Sequence, residues 1–304
     1  MLGYRERPPG DSPGVTGAEP TCIPAEQIGA AGRRLAAAGI EGAWQEAQRL
    51  AEHARTLPAG EQGEAFDALV ARRAERVPLE RLTGRVRFRE IELLVGPGVF
   101  VPQPERSPVV QWAVDALTAR LAARREDGRA AGAGLVCVDL CTGSGTVALS
   151  LAAEVPRATV HAVETDERAL AWAARNVEHN GLAVILHAGD AASALPELDG
   201  TVDLVASNPP YVATGELDGV APEVRDHDPA VALEAGHDGL DVIRAVEATA
   251  RRLLRPSGLV VVEHSDRQGR SAPAVFEASG AWAEVTDHPD QDGLDRFVTA
   301  VRRD

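Results

Sequence analysis

Residues 134–145 read GLVCVDLCTGSG. The first seven are apolar apart from Asp139, the pattern of a strand buried on both faces. Cys141-Thr142-Gly143-Ser144-Gly145 then turns the chain into a helix over 145–154. Gly143 and Gly145 permit a sharp turn and let a ligand approach the backbone with no Cβ in the way. Downstream, ATVHAVE (158–164) reads as a strand and 167–179 as a helix. Strands follow at 183–187 and 202–207 (VDLVAS), a helix at 239–254, a strand at 258–263 (GLVVVE) and a helix at 268–279. Strands near 282–287 and 295–302 close the chain. Alternating strands and helices predict an α/β fold, a mostly parallel, doubly wound sheet. The last two strands have no helix between them, which predicts an antiparallel hairpin.

Ligands of such sheets bind beyond the carboxyl ends of the strands. Glu164 stands at one such tip, where a carboxylate can accept two hydrogen bonds from a ribose diol. Asp190 follows the next strand and can accept from an adenine amino group. GSGTVA also fits the dinucleotide pattern G-x-G-x-x-A, so the loop alone leaves a nicotinamide cofactor and S-adenosylmethionine (SAM) both open. Asp139 favours SAM: an acid near the cationic methionine half attracts, whereas it repels a pyrophosphate.

Upstream, residues 107–125 read as a helix. RVRFREIELLV (85–95) alternates like a strand, with Arg85, Arg87 and Arg89 on one face and Val86, Phe88 and Glu90 on the other. Gly96-Pro97-Gly98 is expected to turn it into a linking hairpin. Residues 26–81 carry Ile28, Leu35, Trp44, Leu50, Phe66, Leu69 and Val70 among good helix formers, with a break at Pro58-Ala59-Gly60. The expected layout is a disordered tail (1–25), a helical domain (26–83), a β-hairpin linker (84–106) and an α/β domain (107–304).

The 304 residues include 31 arginines and no lysine, 46 acids and a net charge of −15. Residues 1–90 hold 13 arginines and 13 acids; the whole deficit lies in 91–304. This field disfavours a bulk nucleic-acid binder. Three cysteines (Cys22, Cys137, Cys141) with no zinc spacing imply neither a disulfide framework nor a metal site, and a reducing compartment. With no signal-like h-region and no apolar run of roughly 18 residues, a cytoplasmic protein without membrane contact is expected.

The most specific signal is Ser207-Asn208-Pro209-Pro210-Tyr211 at the end of strand 202–207. Two prolines in series stiffen the segment. It offers the Asn208 side-chain carbonyl, the Pro209 backbone carbonyl and the Tyr211 ring. Two acceptors orient a planar –NH2 group and a ring packs on its face, which is what methylating an amide or exocyclic amine requires. Glu263-His264 reads as structural. Consecutive Asp226, His227 and Asp228 point in different directions, and no metal is assigned to them.

DLCTGSG (139–145), AVE (162–164), SNPPYV (207–212), EVRDHDPAVAL (223–233), DGLDVIR (238–244) and GLVVVEH (258–264) together resemble the HemK-type protein-(glutamine-N5) methyltransferases. The likeness runs over roughly 78–304, and more loosely before it. It implies a class I SAM-dependent methyltransferase fold, Rossmann-like with a seven-stranded sheet, after a helical domain and a hairpin linker. It implies SAM wrapped by Cys141, Thr142, Gly143, Ser144 and Gly145, its ribose on Glu164, and its adenine beside Asp190 and Ala191. Asn208 lies against both cofactor and substrate; Asn208 and Pro209 accept from the substrate amide, Tyr211 packs on it and Pro210 keeps the loop rigid. The implied substrate is the glutamine of the GGQ motif in class-1 peptide chain release factors, with the enzyme acting as a monomer. A ribosomal-protein glutamine and an adenine N6 in nucleic acid remain alternatives. Departures are Pro102-Gln103-Pro104-Glu105-Arg106-Ser107 where the family usually reads Pro-Arg-Pro-Glu-Thr-Glu, Arg81 where an aromatic is common, Cys141 where glycine is usual, and Ala191 where some members carry a larger residue.

Overall fold

In the computed structural model the described residues are 23–103, 107–126 and 134–304. The expected tail falls almost wholly outside them, as do Cys22 and residues 104–106 of the PQPERS stretch. The chain divides into two units at residues 75/76.

In the first unit, helices α1 (Ala25–Ala37), α2 (Ala43–Ala54) and α3 (Gln62–Ala74) bury Leu35, Leu50 and Phe66 completely. Pro58–Gly60 falls between α2 and α3, where the break is expected. Trp44 is half exposed and lies over Gly32, where a Cβ would sit 2.4 Å from the ring. Arg73 is buried against Glu46 at 2.5 Å.

The second unit opens with α4 (Leu79–Thr83) and a hairpin of β1 (Arg85–Phe88) and β2 (Ile91–Leu94). This corrects the expected single strand over 85–95. The turn is at Arg89-Glu90, with Arg89 at φ +50°, and Phe88 pairs with Ile91. Burial explains it. Val86 and Phe88 share one parity and Ile91 and Leu93 the other, yet all four are buried in one core. A straight strand would send the second pair to solvent; a two-residue turn brings both inward. Arg89 therefore leaves the arginine stripe. It pairs with Glu154 at 2.6 Å, which holds its guanidinium above the usual range, and it donates to Ser107 and Gln111. Gly96-Pro97-Gly98 is no hairpin turn. A Cβ on Gly96 would lie 2.4 Å from the Trp172 ring, whose Nε1 donates to Pro97 O at 3.1 Å.

The main sheet comprises β3 (Leu135–Leu140), β4 (Ala158–Glu164), β5 (Val184–Ala188), β6 (Val202–Ser207), β7 (Leu254–Glu263), β8 (Trp282–Pro289) and β9 (Asp295–Arg302), in the order β5-β4-β3-β6-β7-β9-β8. Its first five strands are parallel, and β9 and β8 close it antiparallel. One core covers one face with the hairpin, α5 (Ser107–Glu126) and α6 (Thr146–Glu154); the other holds Ile243 and Val246 of α9 (Asp241–Leu253) and Phe276 of α10 (Ser271–Ala278). Helix α7 (Glu167–Asn180) links β4 to β5. From β3 the chain proceeds outward to β4 and β5, then returns to β6 on β3's other side. Loops after β3 and β6 therefore diverge at the switch point and leave a crevice between them.

Arg81, the departure from an aromatic, has a structural partner. Its Nη2 donates to Asp228 Oδ1 at 2.6 Å and to Val99 O at 2.9 Å. Both side chains are nearly inaccessible, at 10% and 2% exposure. Burial pushes the Asp228 carboxyl up to about 6, against the pull of Arg81. Removing one half of such a pair strands a buried charge. Asp228→Ala is expected to cost about 3 kcal/mol in urea unfolding, and pairing it with Arg81→Leu to recover a large part of that.

Candidate active site

Cys141, Gly143 and Gly145 adopt left-handed φ of +60°, +58° and +89°, so the loop after β3 reverses at alternate residues. Two carboxylates hold that path. Asp139, fully buried, accepts from Thr142 Oγ1 at 2.5 Å and from Ala148 N at 3.1 Å through Oδ2 alone. Its Oδ1 is buried without a partner, and burial pushes its carboxyl up to about 7. Glu164 accepts from Gly143 N at 2.8 Å through Oε2, and from Thr165 N and Asp166 N at 2.9 Å through Oε1. Asp166 then caps α7, accepting from Arg168 N at 2.8 Å. Asn176, wholly buried, receives Leu94 N at 2.7 Å and donates to Leu94 O and Ser144 O, tying hairpin and loop to α7.

The segment after β6 is anchored as firmly. Ser207 Oγ donates to Leu140 O at 2.6 Å, fixing the tips of β6 and β3 together. Val212 exchanges backbone bonds with Leu233 (2.8 Å) and Ala235 (2.9 Å). The Tyr211 carbonyl accepts from Gln268 Nε2 at 3.2 Å, and a Cβ on Gly239 would come within 2.4 Å of that carbonyl. The Tyr211 hydroxyl donates to Glu263 Oε1 at 3.3 Å. Among the described residues, no protein group donates to the Asn208 carboxamide oxygen or to the Pro209 carbonyl.

Both segments line one cavity of about 730 Å³. Its wall carries Cys141, Thr142, Gly143, Ser144, Glu164, Asp190, Ala191, Asn208, Pro209, Pro210 and Tyr211, and also Gln103. Gly145 is not on this wall: it caps α6, and a Cβ there would press on Leu149 at 3.1 Å. Asp139 is absent from it too, lying beneath the loop rather than facing the cavity. A Cβ on Gly143, by contrast, would meet no protein atom within 4 Å. Asp190 accepts from Ala192 N through Oδ1 at 2.8 Å, an Asx turn that presents the loop.

Glu263 lines the cavity, at 1% exposure. Reading Glu263-His264 as structural holds for His264, which is fully buried between Ser265 O and Asp287 Oδ1, at 2.9 and 2.8 Å. It misses Glu263, whose place at the carboxyl end of a strand beside β6 is the signal that could have found it. Of the Asp226-His227-Asp228 run, Asp226 pairs outward with Arg225 and Asp228 inward with Arg81. The wall holds seven carboxylates and two arginines. Both arginines are already paired, Arg267 with Glu216 and Arg296 with Asp290. Such a cavity attracts cations.

A family model described as the methyltransferase small domain matches residues 114–224. The release factor glutamine methyltransferase of Streptomyces coelicolor is 50% identical over 282 residues, covering 90% of this chain and 96% of that protein. The chain belongs to the release factor glutamine methyltransferase family. The Mycolicibacterium smegmatis member is 43% identical over 286 residues, covering 90% of this chain and 96% of its own length. A 4-amino-L-phenylalanine/4-methylamino-L-phenylalanine methyltransferase of Streptomyces pristinaespiralis is 41% identical over 298 residues, covering 95% and 97%. As a member of this family the chain is a methyltransferase, and its α/β sheet with the antiparallel closing pair is the class I arrangement expected from the sequence.

Glu164→Gln tests the loop's scaffold. The amide oxygen can still receive Thr165 N and Asp166 N, but its NH2 then faces the Gly143 N–H. Donor against donor is expected to cost about 1–3 kcal/mol and to speed hydrogen exchange at the Gly143 amide by NMR.

Proposed function

We propose that this chain methylates the side-chain nitrogen of a glutamine, that of the GGQ motif in class-1 peptide chain release factors, using SAM. The observation that carries the proposal is the Asn208–Tyr211 segment, with its two available acceptors, on one cavity wall with the 141–145 loop. A cytoplasmic site of action follows from that substrate.

The residues present fit SAM. Gly143 leaves an open cradle, Asp139 keeps an unpartnered buried carboxylate oxygen beneath it, and the wall is rich in acid. A dinucleotide's pyrophosphate would meet that wall unfavourably, which favours SAM of the two cofactors the loop sequence leaves open. Cys141, Thr142, Gly143 and Ser144 would wrap the methionine half, Glu164 would take the ribose, and Asp190 with Ala191 would flank the adenine. Glu164 spends three of its roughly four acceptor positions on backbone amides, so at most one remains for a ribose hydroxyl. When bound, SAM supplies an electrophilic methyl group on a sulfonium.

An amide nitrogen is a weak nucleophile because its lone pair is delocalised. Asn208 Oδ1 and Pro209 O would accept its two N–H bonds, build electron density on nitrogen and aim it across the cavity. Tyr211, its hydroxyl held by Glu263, packs against the amide plane. Pro209 and Pro210 remove the freedom that would let the acceptors drift apart. A nitrogen that has gained a methyl loses its proton readily, so no strong base is needed.

The clamp recognises a planar –NH2 rather than a whole substrate, so a second reading has support. The relative named for 4-amino-L-phenylalanine acts on an aryl amine and covers nearly all of this chain. A ribosomal-protein glutamine would also suit the clamp. Adenine N6 in nucleic acid suits the acidic wall poorly. Incubation with labelled SAM and either purified release factors, ribosomal proteins, DNA or 4-amino-L-phenylalanine, with the product located by mass spectrometry, separates the readings. Label on the GGQ glutamine is expected; label confined to the aryl amine overturns the release-factor assignment.

Asn208→Ala is expected to abolish methyl transfer while SAM affinity by calorimetry stays within about threefold, since the clamp acts on the acceptor amide. Affinity for SAM should also depend on pH. With its folded-state value raised to about 7, Asp139 is largely protonated below that pH. A cation nearby favours the ionised form, so binding expels a proton there. Affinity is expected to climb from about pH 6 to about pH 8 and then level, with Asp139→Asn flattening the profile.

A further inference from the structure

The chain leaves the clamp at Val212 and returns to it at Leu233: Val212 N donates to Leu233 O at 2.8 Å, and Ala235 N to Val212 O at 2.9 Å. Between those ties, residues 213–232 form short helical turns, among them α8 (Pro222–Arg225). A connection of that length without a strand or a long helix is uncommon unless it serves a site. Its inner side does: Val220, Ala221, Val224, Pro229, Val231 and Ala232 all line the cavity. The loop begins two residues past Tyr211, so this wall borders the acceptor rather than the cofactor.

No apolar core holds this loop. Among residues 213–232, all of them described, Asp228 alone is buried, and Val231 is half exposed. A segment with so little buried apolar surface opens locally at low cost. Charge fixes this one instead. The Asp228 carboxylate receives Arg81 Nη2 and the Val101 backbone N–H, and the same Arg81 nitrogen donates to Val99 O. Glu223 of α8 pairs with Arg76 at 2.8 Å. Val99, Phe100, Pro102 and Gln103 form a second stretch of the cavity wall. Asp228 therefore ties two parts of that wall together, while its own side chain stays off it.

We propose that Asp228 is a positioning residue for the acceptor: through Arg81 and Val101 it sets the gap between the 213–232 loop and the 99–103 segment, where the substrate chain on either side of the methylated amide is held. This rests on the clamp reading of the preceding subsection. A buried ion pair suits the task. Its charge-assisted hydrogen bonds are directional and fix one geometry, where apolar contacts alone would let the loop slide. They also leave the loop's valines to face the acceptor instead of a core.

The test separates positioning from stability with the double variant Asp228→Ala/Arg81→Leu, which strands no buried charge. Its Tm is expected to stay close to that of the wild type and its SAM affinity by calorimetry within about twofold, while KM for a purified class-1 release factor rises about tenfold and kcat changes by less than about threefold. Asp228→Asn keeps an oxygen for Arg81 and Val101 and is expected to recover part of the lost KM. Backbone hydrogen exchange over 213–232 is expected to quicken about tenfold or more in the double variant, with the 141–145 loop unchanged. An unchanged acceptor KM in the double variant overturns the proposal, as does a KM that worsens only in proportion to lost Tm, or unchanged exchange over the loop. A wild-type enzyme that leaves the release factor unmethylated fails the clamp reading instead, and the exchange rates alone then decide whether Asp228 holds the loop.

Discussion

The Glu164 carboxylate is the point on which the active end of this molecule depends. It gathers three backbone N–H groups from two separate loops, Gly143 from one and Thr165 and Asp166 from the other. Those groups would otherwise be donors at the tips of parallel strands, half shielded from water and without partners. Satisfying them with a single charged acceptor sets the distance between the loops after β3 and β4. Once that distance is set, α7 starts in the right place, and Asn176 on α7 can reach both Leu94 and Ser144. Hairpin, loop and helix are then one hydrogen-bonded body.

Much of this was legible from residues alone. The buried apolar runs and their alternation with helices locate every strand of the main sheet to within a few residues. The absence of a helix between the last two strands identifies the antiparallel closure. Following the arginine periodicity hides the hairpin's turn, which the apolar parity carries as a change of phase between Phe88 and Ile91. Asp139 reads from the sequence as an acid near the cationic half of the cofactor; in the structure it lies beneath the loop, off the cavity wall. A strand residue one position before the tip faces a packed layer, and the carboxylate serves the Thr142 hydroxyl and the start of α6.

Contacts between distant segments were not legible at all. Nothing local announces that Arg81 needs Asp228, 147 positions away, or that the Tyr211 hydroxyl needs Glu263. Each partner looks ordinary by itself. Arg81 reads as a loss of an aromatic, and Asp228 as one of three consecutive residues to which no metal is assigned. Only the packed structure shows that one side chain's burial is tolerable because of the other.

Stiffness at the reaction centre looks at first like a property of two prolines. The Tyr211 carbonyl, however, is capped by the Gln268 amide, and Gly239 leaves no room for any side chain against it. Val212 is laced to Leu233 and Ala235. Asn-Pro-Pro-Tyr is thus not a portable module. Grafted onto another strand end it would bring its torsion angles but not the backbone cage that holds them, so its transplantation requires the 233–239 and 264–268 segments as well.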